Sequence, residues 1–549
     1  MNIILVAINA KYIHSSLAAY SLYTYLPWEA QQHVQIKEFT INQSEALITS
    51  ELLRTEPDAL AFSCYIWNID LVMSIVETFK KVMPHIPIIL GGPEVSYAFD
   101  TPLADLIVRG EGEEPFKNVV RHLIEGRPLS QFSLGVDSTT LSEPPLETIP
   151  FPYHGRFPDL VNRIIYYETS RGCVNRCGFC LSSATEGVRF LDWDRVQTDL
   201  DIFLKQHVKQ VKFVDRTFNC SKHHAVKIWS YLIANDNGIT NFHFEIAGEQ
   251  LDEELLTLLS TARKGLFQFE IGVQSTNTTT LDCISRATNT AQLFDNVRRL
   301  MAFGNIHLHL DLIVGLPHED FASFQNSFND VFALRPHKLQ IGFLKLLRGS
   351  RLRQEAEKYG IVYKKDAPYS VLQTDSISFE EINTIHKIEH MVETFYGGTG
   401  FEATIRFLLA QSPTPFHMFQ ALAACWERKD MHLASHKKAA MYTFLHTFAM
   451  EYLPQKLHHI CELLKFDMLL QENIRTFPDW ITDYYIPDNR LITRTTGVHT
   501  FAYDICTWLK EGGQRLLSPQ DITVHYNYAL GVDDGRISQP LAASSPGRG

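Results

Sequence analysis

The chain has 549 residues, of which 45% are hydrophobic and 20% are charged, so two or three globular domains are expected. Its 50 basic and 62 acidic residues give a net charge of −12, which disfavours a broad nucleic-acid surface, and a basic cluster at Arg428-Lys429 and 436–438 is interpreted as a solvated helix face. Nine scattered cysteines, the lack of a signal peptide and the lack of an apolar run of membrane length predict a protein of the reducing cytoplasm that does not enter a membrane.

Residues 1–140 alternate short apolar runs with amphipathic stretches. Apolar strands that alternate with helices predict an α/β domain with a doubly wound parallel sheet. Strands are predicted at 3–8, 34–39, 59–64, 86–90 and 106–108, with helices at 17–25 and 71–82. Turns with glycine follow the last two strands, and glycine lets a bulky ligand approach the backbone closely. The GxGxxG fingerprint is absent, which disfavours a nicotinamide or flavin site.

Residues 141–160 are rich in proline and are predicted to form a linker, because closely spaced prolines disfavour regular structure. The alternation of strands and helices then resumes over residues 161–365. Strands are predicted at 164–168, 211–215, 242–246, 267–271, 308–314 and 339–344. Six strand–helix units predict a partial (βα)6 barrel, in which the chemistry lies at the carboxyl ends of the strands.

Three cysteines follow the first strand of this barrel with the spacing C-x3-C-x2-C: Cys173, Cys177 and Cys180. Thiolates on one tight loop can bind three irons of a [4Fe–4S] cube. No fourth cysteine is close in sequence, so one iron would be open to an exogenous ligand. The alternatives are a zinc knuckle or three ordinary buried cysteines, but zinc loops usually carry paired sets and no partner pair is present. The spacing therefore favours a cluster for reactive chemistry over plain electron transfer.

With Phe179 placed before the last cysteine, this string resembles the signature of the radical S-adenosylmethionine (SAM) superfamily, CxxxCxxC. The resemblance implies that SAM chelates the open iron and that the reduced cluster cleaves it to methionine and a 5′-deoxyadenosyl radical. It also implies an electron donor of the flavodoxin or ferredoxin type. In such an enzyme the protein positions and tunes the cofactors.

Polar residues lie where the predicted barrel strands end, beginning with Asp215-Arg216. Arg286 suits the carboxylate of SAM because its guanidinium is a planar fork, and Glu245 suits the ammonium group. Gln274 and Asp311 suit the ribose hydroxyls. The same four positions match SAM contacts in oxygen-independent coproporphyrinogen dehydrogenases, which have similar segments. The resemblance implies the following SAM-binding residues: Phe179, Glu245, Gln274, Ser275, Arg286, Asp311 and Leu344. The alternative for each polar member is a structural role at a strand end, and for Leu344 a place in the core.

An N-terminal Rossmann-like domain before a CxxxCxxC domain resembles the cobalamin-binding subclass of these enzymes. The cobalt-ligating DxHxxG motif is missing, and we interpret His14 as a loop histidine, with cobalt ligation as the alternative. The subclass implies cobalamin bound with its own base displaced. The candidate contacts are Asn9, Tyr12, His14, Ser63, Tyr65, Gly91, Gly92, Pro93, Glu94, Gly110, Glu111 and Gly112.

Residues 366–540 are predicted to form a mainly α-helical C-terminal domain, and residues 541–549 a disordered tail. Helices are predicted at 382–396, 418–426, 439–452 and 455–467. The region resembles a helical domain found in one branch of these enzymes. Its aromatic residues are interpreted as core, with a substrate wall as the alternative. Cys425, Cys461 and Cys506 do not form a spaced metal set.

The sequence thus predicts an enzyme that uses a [4Fe–4S] cluster, SAM and cobalamin. The resemblance implies methyl transfer to an unactivated carbon of a small molecule or peptide. Three alternatives stay open: rearrangement or cyclisation, modification of RNA or peptide without methyl transfer, and a carrier of an iron–sulfur cluster or corrinoid without catalysis. The predicted SAM residues argue against a carrier, since a carrier needs no sulfonium site.

Overall fold

The computed structural model describes residues 1–129, 143–184, 187–286, 288–471, 474, 477–482, 496–513, 517, 519–527 and 543–544. The chain divides into two compact units. Unit 1 comprises Met1–Asp320 and Gly342–Ser378, and unit 2 comprises Phe321–Ile341 and Phe379–Gly549. Of the predicted tail, only Ala543–Ser544 falls among the described residues.

The first sheet of unit 1 has five parallel strands in the order β2-β1-β3-β4-β5. The strands are β1 (Ile3–Asn9), β2 (Val34–Thr40), β3 (Ala59–Ser63), β4 (Ile88–Gly91) and β5 (Leu106–Val108). The helices are α1 (Leu17–Thr24), α2 (Trp28–Gln31), α3 (Glu45–Leu53), α4 (Ile69–Val82), α5 (Pro93–Ser96) and α6 (Glu113–Ile124). Every residue of β1 is buried, because alternate side chains enter apolar clusters on opposite faces of the sheet. This topology confirms the predicted doubly wound sheet and places its switch point between β1 and β3.

The second sheet has six strands in the order β13-β12-β11-β10-β9-β6. These strands and the short pairs around them are β6 (Ile165–Tyr167), β7 (Ser170–Gly172), β8 (Val188–Phe190), β9 (Gln210–Phe213), β10 (Asn241–Glu245), β11 (Phe267–Gln274), β12 (His307–Val314), β13 (Lys338–Phe343), β14 (Val362–Tyr363) and β15 (Val371–Gln373). The helices are α7 (Trp193–Lys205), α8 (Lys222–Ala234), α9 (Glu253–Ser260), α10 (Thr278–Cys283), α11 (Thr290–Phe303), α12 (Phe321–Phe332) and α13 (Arg351–Gln354). Strands separated by helices confirm the predicted partial barrel.

Helices of the barrel begin and end at residues suited to those positions. Asp252, Asn277 and Asn289 each accept a hydrogen bond from the first turn of the helix that follows. Gly304, with a φ of 68°, ends α11 in the left-handed conformation that glycine adopts easily. These local signals fix where α9, α10 and α11 connect to the strands.

Unit 2 is mainly helical. Its further elements are α14 (Phe379–Phe395), α15 (Glu402–Ala410), α16 (Pro415–Arg428), α17 (Lys438–Tyr452), α18 (Leu457–Gln471), α19 (Asp479–Thr482), β16 (Thr496–Tyr503), α20 (Ile505–Lys510), β17 (Pro519–Asn527) and β18 (Ala543–Ser544). The four predicted helices are confirmed, whereas the antiparallel pair β16–β17 is an addition that the sequence interpretation missed. Arg428 and Lys429, the start of the basic cluster, both pair with Glu451. No helix in the described ranges has the length and apolar character needed to cross a membrane.

Candidate functional site

The cysteine loop, residues 173–180, lies just beyond β7 with its first two thiols buried and its third half-buried. The backbone N–H of Asn175 donates to Cys173 Sγ at 3.4 Å, and the Thr217 hydroxyl lies 3.6 Å from the same sulfur. Arg286 Nη1 donates to Cys177 Sγ at 3.7 Å. Donors directed at sulfur favour the thiolate, which is the form that binds iron.

The three thiols are neighbours in space. Burial raises the pKa of Cys177, the Arg286 guanidinium opposes this rise, and the nearby thiols of Cys180 and Cys173 add to it. Across the described residues, no three His, Cys, Asp or Glu side chains are arranged to bind a single metal ion. In a cube each thiolate would bind a different iron, so the three sulfurs need not converge on one point.

Gln274 occupies an unusual position at the end of β11. Its φ of 71° is left-handed, and the pairing of β11 with β12 shifts between Gly272 and Gln274. A Cβ on residue 272 would lie 2.1 Å from Gln274 Nε2, so glycine is needed for the Gln274 side chain to fold back over the strand. Gln274 is buried, and within the described ranges its Oε1 has no hydrogen-bond partner. A bulge re-aims this amide and leaves it able to receive a ligand.

Arg286 lies near this bulge and near the cysteine loop, and Glu245 is the last residue of β10. Arg286 Nη2 donates to the Gly272 carbonyl, while its buried Nε has no hydrogen-bond partner in the part of the chain that the structure describes. Burial raises the pKa of Glu245, and the charges of Arg216 and Lys212 oppose that rise. A guanidinium with a nitrogen left for another partner and a carboxylate at a strand end fit the carboxylate and ammonium groups of an amino acid such as SAM.

The remaining predicted SAM residues differ in their position and in their contacts with the rest of the protein. Asp311 lies in β12, in register with Gly272. Phe179 is half-buried in the cysteine loop, between Gly178 and Cys180. The Ser275 hydroxyl donates to Glu319 at 2.6 Å. Leu344 is buried, and its backbone bonds to Val314 and Val371. The Ser275 side chain thus supports a turn.

The inner face of the barrel is polar along its length. Facing side chains in one layer come from Tyr166, Lys212, His243, Gln268 and His307, and those in the next from Glu245, Glu270 and His309. Burial raises the pKa of Glu270, but its bond to His243 and the charge of Lys212 outweigh this and lower the pKa to about 2. Barrel interiors usually contain bulky branched apolar residues. A polar lumen instead suits a polar ligand.

The carboxyl edge of the first sheet contains Ser63 and Tyr65 after β3. Burial raises the pKa of Tyr65, and a hydrogen bond from Ser63 together with the charge of Arg216 opposes the rise. The Tyr65 ring stacks on Trp67 with 4.3 Å between centroids, and Trp67 is exposed. Gly92 has a φ of 108°, and a Cβ there would lie 2.5 Å from the Cys64 carbonyl. Aromatic rings and close-packed glycines at this edge fit a large planar ligand.

The acidic turn, residues 110–113 after β5, is joined to the cysteine-loop region by arginines of the barrel. Arg171 donates to Glu111 and Glu113 at 2.8 Å each and to Glu168 at 2.7 Å. Arg189 also donates to Glu111. Of the predicted cobalamin residues, Glu111 therefore has its carboxylate bound by arginines, and the glycine backbone of Gly110 and Gly112 is the part left to meet a ligand.

A second contact of the same kind lies at the turn after β4. Glu94 is buried, and its carboxylate accepts hydrogen bonds from Arg348 at 3.1 Å and from Tyr369. Gly91 and Pro93 flank this turn, with Pro93 as the first residue of α5. The Glu94 side chain thus fixes the turn to the segment after β13, a role that the sequence did not indicate.

The loop after β1 also contacts the barrel. The Tyr166 hydroxyl lies 2.7 Å from His14 Nδ1, so Nε2 is the ring nitrogen left for another partner. Burial, aided by nearby cations, lowers the pKa of His14. Asn9 donates to the His14 carbonyl and to Glu38. Tyr12 is 76% exposed. Asn9 is thus a structural residue of this loop, and Tyr12 is the most accessible of the three.

Three family models match consecutive parts of the chain. The B12 binding domain matches residues 3–120, the Radical SAM superfamily matches 167–331, and a Protein of unknown function (DUF4080) matches 357–510. The chain combines a B12-binding domain with a radical SAM domain. This confirms the family resemblance predicted from the cysteine spacing and the glycine turns. A radical SAM domain implies SAM and a [4Fe–4S] cluster, and a B12-binding domain implies cobalamin, which agrees with the three predicted cofactors.

Two curated relatives of low identity are methyltransferases, and one of them is named as cobalamin-dependent. The chain is 26% identical to the cobalamin-dependent radical SAM methyltransferase TokK of Streptomyces tokunonensis, over 56% of this chain and 50% of TokK. It is 25% identical to the 2-(S-pantetheinyl)-carbapenam-3-carboxylate methyltransferase of Streptantibioticus cattleyicolor, over 52% of this chain and 46% of that protein. The chain thus spans about half the length of the curated relatives it matches.

A solved structure supports the fold. The cobalamin-dependent SAM radical enzyme OxsB superposes with a TM-score of 0.54 at 15% identity, covering 85% of this chain and 79% of OxsB. At that identity the similarity shows the fold alone.

The candidate residues that sequence reasoning missed are Trp67, Arg171, Lys212 and Thr217. Only Arg171 carried a sequence signal, since it lies two residues before the first cysteine.

Proposed function

We propose that this chain is a cobalamin-dependent radical SAM enzyme that transfers a methyl group to an unactivated carbon of a small molecule or peptide. When bound, the cluster and SAM supply a 5′-deoxyadenosyl radical, and cobalamin supplies the methyl group. The observation that carries the proposal is the Arg171 contact, which joins the acidic turn of the B12-binding domain to the cysteine-loop region. An enzyme that needs both cofactors for one reaction must hold their sites side by side.

The residues of the chain have separate tasks in this proposal. Cys173, Cys177 and Cys180 hold three irons of the cluster. Gln274, Arg286, Glu245 and Asp311 bind SAM, with Arg286 also directed at Cys177. The edge formed by Ser63, Tyr65 and the glycine turns holds the corrin. Radical SAM enzymes need an electron donor. We propose that a flavodoxin or ferredoxin is this donor. We also propose that the protein works in a reducing cytoplasm, which protects an oxygen-labile cluster.

The test is turnover by the anaerobically reconstituted full-length protein with trideuteromethyl-SAM, dithionite and extract from a strain that lacks this chain. We expect a product that carries the trideuteromethyl group, together with both S-adenosylhomocysteine and 5′-deoxyadenosine. The Cys180→Ala variant serves as the control and should form none of them. 5′-Deoxyadenosine alone would contradict methyl transfer and would point to rearrangement or cyclisation.

A further inference from the structure

Arg216 lies in a loop that is fixed on both sides. Its neighbour Asp215 is fully buried and accepts hydrogen bonds from the hydroxyls of Thr169 and Ser170, at 2.6 Å each. Its other neighbour, Thr217, has its hydroxyl 3.6 Å from Cys173 Sγ. The backbone of Arg216 is therefore held beside the cysteine loop and at the carboxyl end of β9.

The same loop is also tied to the loop after β10. Asn219 donates to the Ala247 carbonyl at 2.9 Å and accepts from the Ala247 N–H at 2.8 Å. Asn219 is buried, so this pair of bonds is shielded from water. Arg216 thus projects from a rigid segment, and its side chain needs no rearrangement of the backbone to meet a ligand.

The Arg216 guanidinium is exposed and, among the described residues, makes no hydrogen bond or ion pair. Three other arginines of unit 1 differ in this respect. Arg171, Arg189 and Arg348 are bound to carboxylates. The charge of Arg216 counteracts the raised pKa values of Tyr65 and Glu245, so it lies close to residues on the cobalamin side and on the SAM side.

We propose that Arg216 binds an acidic group, a carboxylate or a phosphate, of the substrate; the proposal rests on the proposed function for the identity of the two cofactors. A guanidinium fork bonds such an oxyanion with two parallel N–H donors. Between the two cofactor sites, the fork anchors the acidic end of the substrate and leaves the rest of the molecule between them. SAM and the nucleotide tail of cobalamin also carry oxyanions, and the test separates these sources.

The experiment measures the modification of single arginines by phenylglyoxal, using peptide mass spectrometry of the full-length protein under anaerobic conditions. Inorganic phosphate is the probe. Samples contain the cluster alone, the cluster with SAM, the cluster with hydroxocobalamin, or all three, each with and without phosphate. Arg298 on α11 is the matched control, because it is also exposed and without a partner among the described residues.

We expect Arg216 to stay reactive in the presence of SAM and cobalamin. Phosphate at about ten times its dissociation constant should then slow the modification of Arg216 roughly tenfold, without an effect on Arg298. Equal rates with and without phosphate would overturn the proposal. Protection by SAM alone or by hydroxocobalamin alone would also overturn it, since the fork would then belong to that cofactor.

Two further measurements separate this proposal from the proposed function. Cobalt content of the same samples reports cobalamin uptake, and its absence would contradict the proposed function while leaving the effect of phosphate readable in the sample with cluster and SAM. Equilibrium dialysis of Arg216→Gln with SAM should give wild-type affinity. A SAM affinity that falls tenfold or more would assign Arg216 to the SAM carboxylate and overturn the proposal.

Discussion

Arg171→Gln is expected to lower the free energy of unfolding of unit 1 by about 3 kcal/mol. The guanidinium binds three carboxylates, its side chain is 20% exposed, and that of Glu113 is 7% exposed. Removal of one partner from a buried ion pair costs about 3–5 kcal/mol, because the remaining charge stays buried without compensation. The lower end of this range applies, since Arg189 still binds Glu111.

The assay is urea denaturation of the cluster-free protein at about pH 8 and about pH 5.5. Burial already raises the pKa of Glu111, and Arg171 opposes that rise. Without Arg171, the pKa of Glu111 in the folded state rises further above its value in the unfolded state. The loss of unfolding free energy in Arg171→Gln is therefore complete above the folded-state pKa of Glu111. It shrinks as the pH falls through that pKa, because the carboxylate is then protonated.

The control is Arg54→Gln, whose side chain is 72% exposed and pairs with Glu51. Its expected cost is below about 1 kcal/mol. A loss for Arg171→Gln no larger than that of the control, or a loss that grows as the pH is lowered, would show that Arg171 does not compensate buried carboxylates.

Three further predictions concern the cofactor residues. Alanine at Cys173, Cys177 or Cys180 should leave a folded protein without the brown chromophore, whereas Cys283→Ser should keep wild-type iron content, and iron retained in the triple variant would contradict the assignment. Arg286→Ala should weaken SAM binding about tenfold to a hundredfold with cluster absorbance intact, as the loss of a charge-assisted bond of about 1.5–3 kcal/mol requires, and equal affinity in equilibrium dialysis would make Arg286 structural. Gly92→Ala should destabilise unit 1 more than Gly126→Ala by about 1–3 kcal/mol in urea denaturation. Both glycines have a positive φ, but only at Gly92 would a Cβ meet backbone atoms. Equal losses of unfolding free energy would show that the backbone at Cys64 moves to make room for the methyl group.

The strands of both sheets were predictable because their apolar runs are continuous or alternate strictly. β1 is buried at every position, and β12 alternates buried and half-buried residues. The antiparallel strands β16 and β17 were missed, since they follow a long helical pattern. The bulge at Gly272–Gln274 was also missed, because a left-handed glutamine leaves no signal in a single sequence.

The cysteine spacing was visible in the sequence, but the partners of the acidic turns were not. Glycine turns at Glu94 and Glu111 suggested cobalamin contacts, and the structure commits both carboxylates to arginines. Arg348 lies 254 residues from Glu94, and Arg171 lies 60 residues from Glu111. Ion pairs over such separations depend on how the two sheets pack, which local patterns do not encode. The roles of the SAM and cobalamin residues and the domain boundaries stay predictions.

We propose that the chain holds cobalamin beside a radical SAM site, and cobalt content and spectroscopy test this proposal. The full-length protein, reconstituted anaerobically with hydroxocobalamin and reduced to cob(II)alamin, should contain one cobalamin per chain. Its electron paramagnetic resonance spectrum should lack the triplet splitting of an axial nitrogen, because the B12-binding domain lacks the DxHxxG motif and His14 is interpreted as a loop histidine. Failure to take up cobalamin would contradict the proposed function, and a triplet splitting that disappears in His14→Ala would make His14 the cobalt ligand instead.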